Sequence, residues 1–490
     1  MVASENDARS RVWSRILATN PPQWIKSIRI IESEVFEEQV IELDSAICIV
    51  GSHGAGKTLL LRVIQAAFGF GGGTPPFVGA EGYGNVDNPV VGVIELTVSV
   101  DGNEEKKVID LAGSVDERFQ AWATDGWQTN WPAYVSSAEL ANDFTWYYQE
   151  LPHSKKRLLN EQRFKSSELV ALAGILGKKY DSVSMWTVVL DSRSDDDESW
   201  YQQRPYVISK TAGRESDNTS FSLGELWVYQ VLWEQGRLDA GSMFMLDEPE
   251  SFLALRGHRA FIDEVARRAL KGKLQLIVAT HSPQVFSRFP LKNVRMCVRG
   301  SRGKIRVVEP ESLVQVQRAV GLEIPVAVIV LVEDAFASLV LVGVLGCLNA
   351  SIAGIEVVQA GGKDNVIAGV RCLSSASRVR VIGVLDADQR DFADSSNGLF
   401  LLPGKSDPEQ ELIGFAYGNS EAVAAALGRS ETALLVALGG FEFFEHQRWP
   451  DVLATQLGLD LRFVTSVLIR LWCQQEDIRR QAFELAAVLA

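Results

Sequence analysis

The chain has 490 residues, 47% of them hydrophobic, which is too long for one ordinary core and too apolar for a disordered chain, so two or three packed domains are expected. A net charge of −14 argues against broad electrostatic coating of nucleic acid or of an anionic membrane, although a local basic groove or a metal-mediated contact with phosphates stays open. Cys48, Cys297, Cys347, Cys372 and Cys473 are scattered, odd in number and without CxxC spacing, so neither a disulfide framework nor a zinc site is expected and a reducing, cytoplasmic setting is the default.

In chain order, the N-terminal residues are charged and polar and lack the apolar core of a signal peptide. Residues 26–50 alternate and end in an apolar run, which predicts strands, and a helix begins near Lys57. The Gly- and Pro-rich stretch 69–89 predicts a mobile loop, and 90–110 predicts an antiparallel sheet. Residues 137–178 read as mainly helical, and 194–199 as an acidic, solvated loop. From 225 to 300 helices and strands alternate, with strands at 243–246 and 274–279, the order of an α/β nucleotide-binding core.

A second α/β pattern starts past 315: strand 325–332, helix 334–348, strand 355–359, helix 364–374 and strand 379–385. The apolar stretch 324–348 carries Glu333 and Asp334 at its middle, so a strand and a buried helix explain it better than a membrane span, and no membrane association is expected. Residues 420–490 read as helices. Neither an internal repeat nor a long heptad run is evident.

Two segments carry nucleotide chemistry. Gly51-Ser52-His53-Gly54-Ala55-Gly56-Lys57-Thr58 fits GxxxxGK[ST] between an expected strand and an expected helix. Its glycines let backbone N–H groups turn toward phosphate oxygens at a helix N-terminus, Lys57 should reach the β- and γ-phosphates, and the Thr58 hydroxyl should ligate Mg²⁺. Further on, Met243-Phe244-Met245-Leu246-Asp247-Glu248-Pro249-Glu250 is an apolar strand ending in acids. Asp247 suits the metal and Glu248 suits the general base for water.

Phe221-Ser222-Leu223-Gly224-Glu225 resembles the signature segment of ABC ATPases, and Thr280-His281-Ser282 at the end of a strand resembles their switch histidine. Read alone, Ser222 to Glu225 is a helix cap. The order of P-loop, signature, Asp-Glu and His is similar to the ABC ATPase superfamily over 26–300, closest to its soluble DNA-repair and phage-defence branch. That resemblance implies that Ser222, Gly224 and Glu225 meet the nucleotide held by another copy, hence a homodimer or higher homo-oligomer. It also implies a Q-loop glutamine, for which Gln149 and Gln162 are candidates.

In the second unit, Glu333 ends one strand, and Asp386-Ala387-Asp388 ends another. Side chains two apart on extended chain share a face, and clustered carboxylates need a cation such as Mg²⁺ or Mn²⁺. The arrangement resembles the Toprim domain over 325–415, and an ABC ATPase followed by Toprim is the layout of OLD-family nucleases. The resemblance implies metal ligands at Glu333, Asp386, Asp388 and Glu409, with Glu411 the alternative for the last. Gly361, Gly362 and Lys363 can form a turn near the metal or, equally, a plain strand–helix turn. The sequence departs from the family at Glu333-Asp334-Ala335-Phe336-Ala337, where a glycine and a second acid are replaced. Trp449 and Trp472 read as core, and His446 as a packed core histidine, with a site-lining role the alternative.

The expected fold is therefore α/β: an ABC ATPase nucleotide-binding domain over 1–318, a small Toprim-like α/β domain over 319–415, and a helical C-terminal region over 416–490. The functional expectation is an ATPase that regulates a metal-dependent DNA nuclease. The competing expectation, favoured by Ala337, is an ATPase scaffold whose degenerate Toprim-like domain recruits or restrains a separate effector protein.

Overall fold

The computed structural model describes residues 11–68, 92–112, 122, 132–138, 140, 156–190, 203–300, 303–323, 326–348, 350, 352–376, 378–439, 441 and 444–489. The loops expected at 69–89 and 194–199, and Gln149, lie outside these residues. Contacts divide the chain into two units, one up to Leu322 and one from Glu323 onward.

The first unit is built on a six-stranded sheet in the order Ile305–Val308, Val294–Arg299, Ala46–Val50, Gln275–Thr280, Met243–Asp247, Ala133–Ser136. All neighbours are parallel except the Ile305–Val308 edge. The central strands are buried at every position and mostly apolar because both faces are covered. Alternate residues enter different cores. Cys48, Val50, Phe244, Leu246, Leu276 and Val278 pack on one side, against the helices Leu223–Gly236 and Leu255–Gly272. Ile47, Ile49, Met245, Ile277 and Ala279 pack on the other, against the helix Lys57–Ala67. Burying one such side chain contributes about 1.5–3 kcal/mol, so register is strongly specified here.

Two four-stranded antiparallel sheets complete the unit. One contains Gln23–Ser33, Gln39–Glu42, Gly92–Val100 and Asn103–Asp110, as the alternation at 26–50 and 90–110 predicts. The other contains Lys156–Arg163, Ser182–Leu190, Arg204–Thr211 and Arg214–Asp217. The expectation of mainly helix over 137–178 is corrected in part by this second sheet. Residues Lys156–Arg163 pair with Ser182–Leu190, while residues 137, 138 and 140 and Ser166–Leu176 are helical. Cross-strand pairing of Leu158 and Leu159 with Val188 and Thr187 outweighs the helix propensity of a Lys-, Arg-, Leu- and Glu-rich segment.

In the second unit a four-stranded parallel sheet runs Ile355–Gln359, Val328–Val332, Arg380–Leu385, Leu399–Leu401. Helix Lys363–Leu373 covers one face through Val366 and Val370. The other face is covered by Ala335–Cys347 and by the C-terminal helices, which share one core from Val328 to Leu489. The helical region expected at 416–490 thus has no core apart from that of the sheet. Trp472 is fully buried in this core, as expected. Trp449 is only partly buried and stacks on Phe441 with centroids 5.9 Å apart.

Candidate functional site

The first site lies at the carboxyl ends of the adjacent parallel strands, where open α/β sheets place ligands. The strand Ala46–Val50 runs into Gly51, and the helix Lys57–Ala67 opens directly after Gly56. Gly56 has φ +106, and a β-carbon there would come within 2.2 Å of the Ile305 side chain, so both conformation and space demand glycine. Ser52, His53 and Gly54 are exposed, while Ala55 and Lys57 are buried. The Lys57 ammonium donates to the carbonyls of Gly51 at 3.0 Å and Ser52 at 3.1 Å.

The acidic strand meets this loop through Thr58, whose hydroxyl donates to Asp247 Oδ2 at 2.7 Å. The Tyr134 hydroxyl donates to the same oxygen at 2.9 Å, an interaction that no sequence motif signals. Asp247 Oδ1 is buried and has no hydrogen-bond partner among the described residues. Burial pushes this carboxyl above the usual aspartate range, against the pull of Thr58 and Tyr134. A buried carboxylate with one unanswered oxygen beside a threonine hydroxyl fits Mg²⁺, a hard cation with oxygen ligands.

Glu248 follows with φ +51, a left-handed conformation that a non-glycine residue adopts only when its surroundings hold it there. Its N–H donates to the Ala279 carbonyl at 2.8 Å, tying it to the neighbouring strand. The imidazole Nδ1 of His281 stands 3.5 Å from Glu248 Oε1, and its ring lies 4.9 Å from that of His53 in the P-loop. Four segments far apart in sequence are thus gathered at one place: the P-loop, Tyr134, the Asp247–Glu248 pair and His281.

Ser222 caps the helix Leu223–Gly236 and is exposed, and Glu225 closes a capping box with it. Gly224 is tightly packed: a β-carbon there would lie 2.8 Å from the Phe252 carbonyl. Glu225, expected as a nucleotide contact, instead turns inward and accepts from Lys178 and from the Tyr180 hydroxyl, each at 2.9 Å. Burial would raise its carboxyl, but Lys178, Ser222 and Tyr180 outweigh that and hold it below its ordinary value. The capping box holds it there: Glu225 Oε2 accepts from the Ser222 N–H and hydroxyl, which leaves Oε1 to Lys178 and Tyr180. Gln162 lies in the second antiparallel sheet, near Gly236 at the far end of this helix.

In the second unit, Glu333 and Asp386 leave neighbouring parallel strands, and the Asp386 N–H donates to Glu333 Oε1 at 3.1 Å. Asp386, Asp388 and Asp407 bring one ligand oxygen each within 4.8 Å of one another. Asp407 was not anticipated; it stands just before the helix Pro408–Gly418, and its position ahead of a proline at a helix start was the available signal. Burial pushes Asp386 up to about 8, with repulsion from Glu333, Asp334, Glu409 and Asp388 adding to it. Burial likewise pushes Glu409 up to about 7, with Asp334 and Asp407 contributing. Asp386 Oδ1 is buried without a partner among the described residues. Carboxylates that repel one another around an unanswered oxygen fit a Mg²⁺ or Mn²⁺ ion.

Glu411, the alternative to Glu409, is occupied elsewhere: its Oε1 accepts from the N–H groups of Lys405 and Ser406. The Gly361 and Gly362 N–H groups both donate to the Glu333 carbonyl at 2.9 Å, so that turn fixes the start of the cluster. His446 is corrected from core to site margin. It is about half-buried, and its Nε2 lies 3.5 Å from Asp407 Oδ2. Trp449 stacks on Phe441 and meets the His446 ring edge-on with centroids 6.4 Å apart, so the imidazole lies at the margin of the aromatic group, beside Asp407. Ala337 is buried in the apolar core, and its N–H is capped by Asp334.

Residues 46–287 match the family described as AAA domain, putative AbiEii toxin, Type IV TA system. This segment is an AAA-type ATPase domain. It contains the P-loop, the Ser222 segment, the Asp247–Glu248 pair and His281, and as an ATPase domain it binds ATP. Among solved structures the chain is similar to the SMC head domain from Thermotoga maritima, at 15% identity and a TM-score of 0.33, covering 59% of this chain and 99% of that one. It is also similar to the C-terminal region of the Burkholderia pseudomallei OLD protein, at 17% identity and a TM-score of 0.24, covering 34% of this chain and 99% of that one. A third similarity is to the C-terminal region of the Xanthomonas campestris pv. campestris OLD protein, at 16% identity and a TM-score of 0.21, covering 33% and 94%. No curated protein sequence matches the chain. Among the described residues no single helix is long and apolar enough to cross a membrane.

Proposed function

We propose that this chain is an ATP-regulated, metal-dependent DNA nuclease of the OLD type, acting in phage defence or DNA processing. At the ATPase domain, the P-loop amides and Lys57 hold the phosphates, and Thr58 and Asp247 hold Mg²⁺, which when bound draws charge from the β- and γ-phosphates. Glu248 accepts a proton from the attacking water, and His281 donates to the γ-phosphate. Ser222, exposed at a helix N-terminus, is presented to the nucleotide of a second copy, so hydrolysis belongs to a homodimer or larger homo-oligomer.

The nuclease reading is carried by one observation: Asp386, with an unanswered buried oxygen, sits among Glu333, Asp388, Asp407 and Glu409. These residues would hold Mg²⁺ or Mn²⁺, an ion that supplies an activated water and charge stabilisation for phosphodiester cleavage. The test is incubation with plasmid DNA and Mg²⁺ or Mn²⁺, with and without ATP. Metal-dependent nicking that Asp386→Ala abolishes is expected. No nicking under any condition, with ATPase activity intact, would transfer the reading to a scaffold that recruits a separate effector. Ala337 favours that second reading. Against it, Ala337 is packed in the core and Asp407 brings a further carboxylate to the cluster.

A further inference from the structure

We infer that Glu250 is the positioning residue that sets His281 for ATP hydrolysis. The inference rests on the proposed role of His281. Glu250 lies two residues beyond Glu248 and is only 7% exposed. A carboxylate so deeply buried persists only when its charge is answered by hydrogen bonds. Here one oxygen, Oε1, accepts from the Thr280 hydroxyl at 2.7 Å and from the N–H groups of His281 and Ser282, each at 3.1 Å. The carboxylate therefore grips three consecutive residues, with the histidine in the middle.

The same oxygen stands 3.4 Å from His281 Nδ1, and Glu248 Oε1 stands 3.5 Å from that nitrogen. Nδ1 itself makes no hydrogen bond among the described residues, so Glu250 holds the histidine through its backbone and its two neighbours. The far side of the segment is also anchored: Ser282 Oγ is within 3.0 Å of His258 Nδ1, and His258 Nε2 is 3.2 Å from the Leu253 carbonyl. Glu250 Oε2 has no partner among the described residues, so the hydrogen bonds of the carboxylate run through residues 280–282. One side chain thus couples the turn that carries Glu248 to the segment that carries His281. Removing it loosens the histidine without touching the P-loop.

The test is a double-mutant cycle on full-length protein, reading steady-state kcat and KM for ATP, fluorescent ATP-analogue affinity and melting temperature. Glu250→Ala is expected to lower kcat about 10- to 100-fold with KM and nucleotide affinity within about threefold, because hydrogen bonds to a charged group are lost. Glu250→Gln keeps an acceptor oxygen and should recover part of the rate. If Glu250 acts through the histidine, Glu250→Ala combined with His281→Ala is no slower than His281→Ala alone. A wild-type kcat for Glu250→Ala, or a double variant slowed by the product of the two single effects, overturns the inference. Should Glu250→Ala not fold, the cycle with Glu250→Gln decides by the same criterion. A wild-type rate for His281→Ala overturns the histidine assignment and the inference with it, whereas a slow His281→Ala beside a fast Glu250→Ala overturns the inference alone.

Discussion

The indole N–H of Trp227 donates to the carbonyl of Pro249 at 3.0 Å. Trp227 lies on the helix that Ser222 caps, and Pro249 lies between Glu248 and Glu250, so the helix proposed to face a second copy is latched to the turn that holds the candidate base. Trp227 is fully buried, so Trp227→Phe should cost about 1–3 kcal/mol by leaving the Pro249 carbonyl without its donor. A lowered melting temperature together with a reduced kcat for ATP is the expected result. A stability loss with kcat unchanged would show that the latch does not reach the base.

At the nucleotide site, Lys57→Ala should abolish tight ATP binding, whereas Glu248→Gln should bind ATP normally and hydrolyse it about 100-fold more slowly or worse. The trapped Glu248→Gln protein should sediment as a dimer or larger assembly with ATP and as a smaller species without it. Wild-type turnover by Glu248→Gln would remove Glu248 from the role of base.

Because Asp247 Oδ2 accepts from both Thr58 and Tyr134, the two hydroxyls should differ in function. Thr58→Val removes a proposed metal ligand and should raise the Mg²⁺ concentration needed for half-maximal ATPase activity by about tenfold or more. Tyr134→Phe removes only a hydrogen bond to that ligand and should shift the requirement less. Metal titrations of ATPase rate for the two variants check the order.

The carboxylate cluster predicts a pH dependence of definite sign. Asp386 is pushed from an ordinary value of 3.8 up to about 8, so between these limits the folded unit holds a proton that the unfolded chain has released. Without metal, its contribution to stability is full at low pH and declines as pH rises toward 8. Added Mn²⁺ takes the place of the proton, so its stabilising effect should grow from pH 5 to pH 8 and be accompanied by proton release. Melting curves at several pH values with and without Mn²⁺ measure this, and Asp386→Asn should flatten both effects.

Asp407 and His446 should separate by the same readout. Asp407→Asn removes a ligand oxygen and should weaken Mn²⁺ binding about 10-fold or more, while His446→Ala leaves the cluster's oxygens in place and should weaken it less. Calorimetric titration with Mn²⁺ distinguishes them, and equal effects would make His446 a ligand.

The local patterns of the chain by themselves determined both α/β units. Ala46–Val50, Met243–Asp247 and Gln275–Thr280 announce buried parallel strands because each holds an unbroken run of four or more apolar residues, and Gly56-Lys57-Thr58 announces its turn because only glycine tolerates that backbone. The second unit's elements from Val328–Val332 to Arg380–Leu385 follow in the order their periodicity predicts. What only the tertiary structure decided are side-chain partnerships across long separations, since sequence spacing carries no information about which distant residues face one another. Tyr134 on Asp247, Lys178 and Tyr180 on Glu225, Asp407 beside Asp388, and His446 beside Asp407 are all of this kind. So is the second antiparallel sheet, whose strand Lys156–Arg163 owes its conformation to a partner about twenty-five residues away and not to its own propensity.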